Sequence, residues 1–270
     1  ENFTPPLPTY GTISYTTGIQ YVGVATTAFY KSTGDVGIAE TSSTAANALV
    51  LAMPMNRTFG FQDINVAIRG LTSGASAGTA KTVGLGTTSA VDSLSSPFIH
   101  EYQSKWYNGS AYFDGVNDYA ATNSSSSDFT MGSGSYTIEF FMNPSSISGN
   151  ASLINLVVSD GGNPGINIYR TGSSITVDNG ATGSTGPSGG SLVANTWQHI
   201  AVVSNGTTTN LYVNGIQVSS YVGVTGSSYS PLFAKIGLVG AGSGSVPYYN
   251  GYLQDLKIYK GFAKYTANFT

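Results

Sequence analysis

Apolar residues in this chain come in runs of strand length, interrupted by turn residues at short intervals, and no segment sustains the 3.6-residue period of a helix. Tyr136-Thr137-Ile138-Glu139-Phe140-Phe141-Met142 alternates with the two-residue period of a half-buried strand and stops at Asn143-Pro144. Leu153–Val158, Gly165–Tyr169 and Ser174–Val177 follow at similar length, the last meeting Asp178-Asn179-Gly180. Trp197–Val203 and Thr209–Val213 flank Ser204-Asn205-Gly206, and Asn214-Gly215 is a two-residue hairpin signal before Ile216-Gln217-Val218. Leu253, Leu256 and Ile258, with Tyr252 and Tyr259, make a closing strand. The expectation is an all-β, antiparallel two-sheet sandwich with minimal helix. Its core should bury Phe113, Ile138, Phe140, Trp197, Ile200, Val202, Leu211, Val213, Leu256 and Ile258.

The first part of the chain reads differently. Pro5, Pro6 and Pro8 fix φ and remove donors, which predicts an extended, stiff connector. Between Thr12 and Glu40, Ile13-Ser14-Tyr15, Ile19-Gln20-Tyr21-Val22 and Ala28-Phe29-Tyr30 predict two or three short strands, too few to own a core. Ala48-Leu49-Val50-Leu51-Ala52-Met53 is a continuous apolar run, bounded by Asn47 and Pro54, that suits a buried strand. This divides the chain into a Pro-rich connector with a β-rich linker segment, 1–47, and one large β domain, 48–270. Residues 70–97, dominated by small residues, predict exposed loops or short edge strands.

Composition excludes several functions. Only 9% of residues are charged, against about 25% in ordinary soluble domains. A formal charge of −3 leaves no basic face for phosphates, so nucleic acid is not an expected partner. No apolar run approaches the roughly 20 residues that cross a bilayer, so membrane insertion is not expected either. The absence of cysteine rules out disulfides, thiolate zinc sites and Cys nucleophiles. With two histidines, His100 and His199, and no His-x-x-x-His pair, a transition-metal site is not expected. His199, beside Trp197 in a strand, reads as a packed or hydrogen-bonded core residue. Gly74-Ala75-Ser76-Ala77-Gly78 satisfies the string of a nucleophile elbow, but it lies in a small-residue loop without the strand and helix that chemistry needs, so no catalytic role is expected for Ser76.

Five blocks, in order, carry a resemblance: Ser110-Ala111-Tyr112-Phe113-Asp114-Gly115-Val116-Asn117-Asp118-Tyr119, then Tyr136 to Pro144, then Asn195-Thr196-Trp197-Gln198-His199-Ile200-Ala201-Val202, then Leu211-Tyr212-Val213-Asn214-Gly215, then Tyr249 to Gly261. Together they resemble the laminin-G-like, concanavalin-A-type jelly roll, in the tandem form seen in bacteriophage tail and other virion surface proteins. The resemblance covers 105–270 and extends to 48–104 through Leu51-Ala52-Met53-Pro54-Met55-Asn56.

The resemblance raises three chemical expectations. Some proteins with this fold are glycosidases, whose two carboxylates flank the scissile bond at about 5 to 9 Å. Glu139 stands alone in its strand, so no enzymatic activity is expected and no catalytic residue is assigned. In this fold the closing strand neighbours the first one, which would bring Asp255 near Asp114 and Asp118. The three could hold calcium, or Asp114 and Asp118 could simply cap their turn; no cofactor is otherwise required. Aromatic faces stack on sugars, and Tyr248, Tyr249 and Tyr252, beside the Gly240–Gly244 loop, are the candidate glycan-binding residues.

The chain also opens on Asn2-Phe3-Thr4 followed by Pro5-Pro6 and closes on Asn268-Phe269-Thr270. Read as equivalent points of successive modules, these imply head-to-tail assembly with other copies or adjacent tandem modules, either covalent or by strand exchange. Phe3, Ile13, Tyr15, Ile19 and Tyr21 are the candidate assembly residues, because strands there could extend a neighbour's sheet edge. The expected function is a non-enzymatic structural repeat of an extracellular fibre or virion surface. The alternative is a glycan-binding adhesion module whose partners are surface glycans.

Overall fold

The computed structural model describes residues 43–270 except 58, 67–75, 77, 88–95, 106–108, 159–163, 180–185, 227–231 and 239–247, together with the backbone of four strands between 13 and 39. In chain order these strands are β1 (Ile13–Thr16), β2 (Ile19–Val24), β3 (Thr27–Lys31) and β4 (Gly37–Ala39). They form a four-stranded antiparallel sheet in the order β1-β2-β3-β4. Ile13, Tyr15, Ile19 and Tyr21 lie in its first two strands, with Ile13 opposite Val22 and Tyr15 opposite Gln20. Phe3 lies outside the described residues.

A short helix, α1 (Ser43–Ala48), precedes β5 (Leu49–Met53). The apolar run is thus strand from Leu49 onward, and Ala48 ends a helical turn that carries no strand-like alternation. The remaining strands are β6 (Val83–Thr87), β7 (Phe98–His100), β8 (Ser110–Asp114), β9 (Asp118–Thr122), β10 (Ser135–Pro144), β11 (Asn150–Val157), β12 (Pro164–Thr171), β13 (Ser174–Asp178), β14 (Ser188–Gly189), β15 (Gln198–Asn205), β16 (Thr208–Val213), β17 (Ile216–Val222), β18 (Phe233–Ile236) and β19 (Asn250–Lys260).

They build two antiparallel sheets. The first runs β17-β16-β15-β10-β19-β8-β7, with β5 also paired to β19, and the second runs β14-β13-β12-β11-β18-β9-β6. The fold is an all-β jelly-roll sandwich. Its core lies between the sheets, where Ile138, Phe140, Ile200, Val202, Leu211, Leu256 and Ile258 of the first meet Ile154, Leu156, Ile166, Ile168, Val177, Ala234 and Ile236 of the second. Each of these side chains larger than alanine contributes about 1.5–3 kcal/mol on full burial. Of the ten expected core residues, Trp197 alone is not fully buried, because it stands just before β15 and is only partly covered.

β19 organises the first sheet. Along one edge it pairs with β10. Along the other, Asn250–Leu253 pair with β8 and Leu256–Tyr259 pair with β5. The switch falls at Asp255, where φ is +55° and the backbone N–H donates to the Pro54 carbonyl at 3.1 Å. The register also decides which side chains leave the core. Glu139, Phe141 and Asn143 oppose Lys257, Gln254 and Tyr252, and Tyr252 opposes Tyr112, which opposes Phe98. All of these share the outer face of the first sheet.

Candidate functional site

That outer face has two halves. One half, over β10, β15 and β16, is covered by the chain's own last residues. After β19 the chain turns at Gly261 and runs back across the sheet as a strap. Phe269 N–H donates to the Gly215 carbonyl at 2.8 Å, and Gln217 N–H donates to Asn268 Oδ1 at 2.8 Å. Gly215 has φ +79°, and a Cβ there would collide with the Phe269 carbonyl oxygen, so only glycine lets the strap approach this closely. Tyr265 and Phe269 stack with centroids 3.5 Å apart and pack on Ala201, Val203 and Tyr212.

Beneath the strap, Glu139 is 4% exposed and fully engaged. Oε1 accepts from Lys264 Nζ at 2.6 Å and Tyr259 Oη at 3.3 Å, and Oε2 accepts from Tyr265 Oη at 2.6 Å. His199 Nε2 lies 3.5 Å from Oε2. Burial works to raise the Glu139 pKa, but Lys264, His199 and Lys257 outweigh it and hold the carboxyl well below the ordinary glutamate range. Glu139 therefore does not stand alone. Lys264 and Tyr265 belong to a segment with no strand period, which is why its partners were invisible in the strand that carries it. His199 is packed as expected, but against Phe141, Tyr265 and Phe269 under the strap and not between the sheets.

The other half, over β7, β8 and the start of β19, has no such cover among the described residues. It carries a run of neighbouring rings: Phe98–Tyr112 at 5.4 Å, Tyr112–Tyr252 at 5.0 Å, Tyr252–His100 at 5.4 Å and His100–Tyr102 at 6.3 Å between centroids. Phe98 is 47% exposed and Tyr102 88%. Partial burial and the neighbouring Tyr252, Asp114 and Asp118 push the Tyr112 phenol up, so it stays a neutral hydroxyl donor. The rings are not coplanar: neighbouring planes are tilted by 56° and 47° along Phe98, Tyr112 and Tyr252 and stand nearly perpendicular at His100.

Of the candidate glycan-binding tyrosines, Tyr252 belongs to this face and Tyr248 is half buried beside the start of β19. Tyr249 is a correction: it is fully buried, its ring packs 6.2 Å from Phe113, and its hydroxyl donates to the Tyr252 carbonyl at 3.2 Å. Proximity to a glycine-rich loop suggested exposure, but alternation into β19 turns Tyr249 inward. Phe98, Tyr102, Tyr112 and His100 were missed because β7 is short and its pairing with β8 has no local signal.

The three aspartates are not brought together either. Asp114 Oδ1 accepts from Val116 N–H at 2.7 Å and Asn117 N–H at 3.4 Å, and Asp118 Oδ2 accepts from Asp114 N–H at 3.0 Å. These bonds cap the turn that carries the chain from the first sheet to the second. The closing strand does neighbour β8, but it is Asn250 that faces Asp114; Asp255 is farther along, paired with Lys257 at 2.7 Å. No group of three potential metal-ligating side chains occurs among the described residues. Ser76 is exposed, its N–H donating to Asn47 Oδ1 at 2.7 Å, in neither strand nor helix.

A sandwich of two antiparallel sheets in this strand order is a jelly roll. The family profile described as the concanavalin A-like lectin/glucanases superfamily, of laminin G type, matches residues 114–263, and the chain belongs to that family. Among solved structures, the binding domain of botulinum neurotoxin serotype D/C is similar at 11% identity over 80% of this chain and 49% of that one, with a TM-score of 0.50. This chain thus spans about half the length of that domain. Domain 4 of AbnA, a GH43 extracellular arabinanase of Geobacillus stearothermophilus solved with arabinotriose, aligns at 11% identity over 80% of this chain and 94% of that one, with a TM-score of 0.49. At these identities the likeness is one of fold. No curated protein matches the chain.

Proposed function

We propose that the chain is a non-catalytic glycan-binding module of an extracellular protein, with the bare half of the first sheet as its sugar platform. The observation that carries this reading is the continuous set of rings from Phe98 through Tyr112, Tyr252 and His100 to Tyr102, exposed at Phe98 and Tyr102 and half-buried between them, on a fold whose family is named for lectins and glucanases. Catalysis is not supported. Glu139, the carboxylate beside His199, is held ionised under the strap by Lys264 and Tyr265 and so cannot serve as a general acid. The test is an array of immobilised oligosaccharides probed with the wild-type chain and with Tyr112→Ala. Selective binding that is lost in the variant is expected; an array left blank by the wild type would overturn the reading.

A second reading, a structural repeat assembling head to tail on an extracellular fibre or virion surface, is favoured by one observation. Asn268 and Phe269 latch onto the Asn214-Gly215 hairpin through two backbone-directed hydrogen bonds, and Asn2-Phe3-Thr4 repeats the sequence of that latch. An equivalent latch before each copy would set the orientation of one module on the next, with the strands that carry Ile13, Tyr15, Ile19 and Tyr21 at the joint. Electron microscopy of the ligand-free protein tests it: filaments support it, and monodisperse particles at high concentration count against it.

A further inference from the structure

Over β10 and the middle of β19, between the strap and the aromatic platform, the outer face of the first sheet holds a cavity of about 450 Å³. That is within the range of small-ligand sites, roughly 300–1,000 Å³. Among the described residues its lining includes Lys105, Lys257, Lys264, Glu139, Asp255 and Phe141. The chain has only ten lysines and arginines, and three of them meet here. With three ammonium groups against two carboxylates the lining is net positive, on a chain whose formal charge is −3. A concave wall of one sign concentrates ligands of the other.

Each carboxylate is held by a lysine of its own: Lys257 Nζ lies 2.7 Å from Asp255 Oδ2, and Lys264 Nζ lies 2.6 Å from Glu139 Oε1. Lys105 is the third cation and differs from both, being exposed, with its ammonium 5.9 Å from the centre of the Phe141 ring. It stands on the platform's side of the cavity. Lys105 follows Tyr102 by three residues, and its backbone N–H donates to Gln254 Oε1 at 2.9 Å. Gln254 is itself fixed by donating Nε2 to the Gly109 carbonyl at 2.6 Å, and it pairs with Phe141 two residues beyond Tyr252. Alternate residues of a strand are about 7 Å apart, a step that one sugar ring bridges. A sugar seated on Tyr252 therefore has its next residue beside Lys105 and Phe141, while the strap closes the far side of the cavity.

We propose that the platform's glycan extends into this cavity with an acidic sugar, whose carboxylate meets the Lys105 ammonium while its ring lies against Phe141. The inference rests on the glycan-binding reading and adds to it the class of ligand. An anion is the matching chemistry because Asp255 and Glu139 already engage the two deeper lysines, so the excess positive charge is presented at the rim, where a ligand enters. A carboxylate can accept from that ammonium in a charge-assisted hydrogen bond; a neutral sugar of the same shape gains only the weaker bond of a hydroxyl. Lys105 is thus a specificity-determining residue, and the rings of Tyr102 and Tyr252 supply affinity without regard to charge.

Two probe pairs that differ in the charged group test this calorimetrically at low salt: trigalacturonate against its methyl ester, and sialyllactose against lactose. The first pair presents the carboxylate as a uronate and the second as a sialate. The wild type should bind the acidic member of at least one pair about fivefold more tightly, the upper end for an exposed ion pair. That preference should vanish in Lys105→Gln and shrink as salt is raised. It should persist in Lys260→Gln, which removes the same charge at a lysine bonded to the Ser127 carbonyl outside the cavity. Tyr252→Ala should weaken both members of a pair alike. Equal binding of acid and neutral forms that Tyr252→Ala still weakens would overturn the proposal and leave the platform standing. A preference lost in Lys105→Gln but untouched by Tyr252→Ala would do the reverse. An acid preference that survives Lys105→Gln, or no binding of either acidic probe, would also overturn the proposal.

Discussion

The two halves of the first sheet's outer face belong to one continuous sheet, but among the described residues only one is covered by the strap. Over β10, β15 and β16 the strap buries Glu139, His199 and Tyr212, and these residues build the fold. Over β7, β8 and the start of β19, residues of the same kinds are exposed or half-buried, with no strap over them among the described residues. Outward-facing aromatic and charged residues therefore carry no functional meaning until it is known what lies on top of them. Each half should respond differently to substitution.

The largest effect is expected from Lys264→Ala. It removes the closest cation from a buried carboxylate, and because Lys264 is itself partly exposed the cost should sit near the low end for such pairs, about 3 kcal/mol, read from denaturant unfolding. Cost below about 1 kcal/mol would mean the strap lifts readily and the two halves are not distinct. Gly215→Ala comes next, at about 2 kcal/mol, since the new methyl meets the Phe269 carbonyl at a positive φ. Its unfolding should be matched by loss of protection of the Phe269 amide in hydrogen exchange.

Acid should act on the covered half first. The folded-state pKa of Glu139 is depressed, so its contribution is complete above the ordinary glutamate range, near pH 4, and is lost as pH falls below it toward the depressed value. A Glu139→Gln variant should show a flatter loss of stability over that acid range. The smallest effect concerns calcium: with Asp114 and Asp118 already accepting backbone amides, Tm should be the same in chelator and in millimolar calcium. A rise of several degrees would restore a calcium site at that turn.

The sandwich itself was legible because strand period, turn residues and the order of the five blocks all agree, as at Tyr136–Met142 and at Asn214-Gly215. The site was legible only in part. Tyr252 was found, but its ring partners come from β7 and β8, some 140 to 154 residues earlier in the chain. Asp255 was placed on the right strand and at the wrong register, because strand adjacency does not say which residues face each other. The Glu139 cluster depends on Lys264 and Tyr265, in a segment with no period at all, and long-range burial of that kind leaves no local trace.

The most direct test of the division is a paired titration. A glycan selected from the array is measured calorimetrically against Tyr102→Ala/Tyr252→Ala and against Phe269→Ala, with Tm recorded for each. The first variant should lose about tenfold or more in affinity with little change in Tm, as expected for rings that stack on ligand. The second should keep wild-type affinity while Tm falls. Binding that survives the loss of Tyr102 and Tyr252 but fails with Phe269→Ala would place the sugar on the covered half and contradict the account.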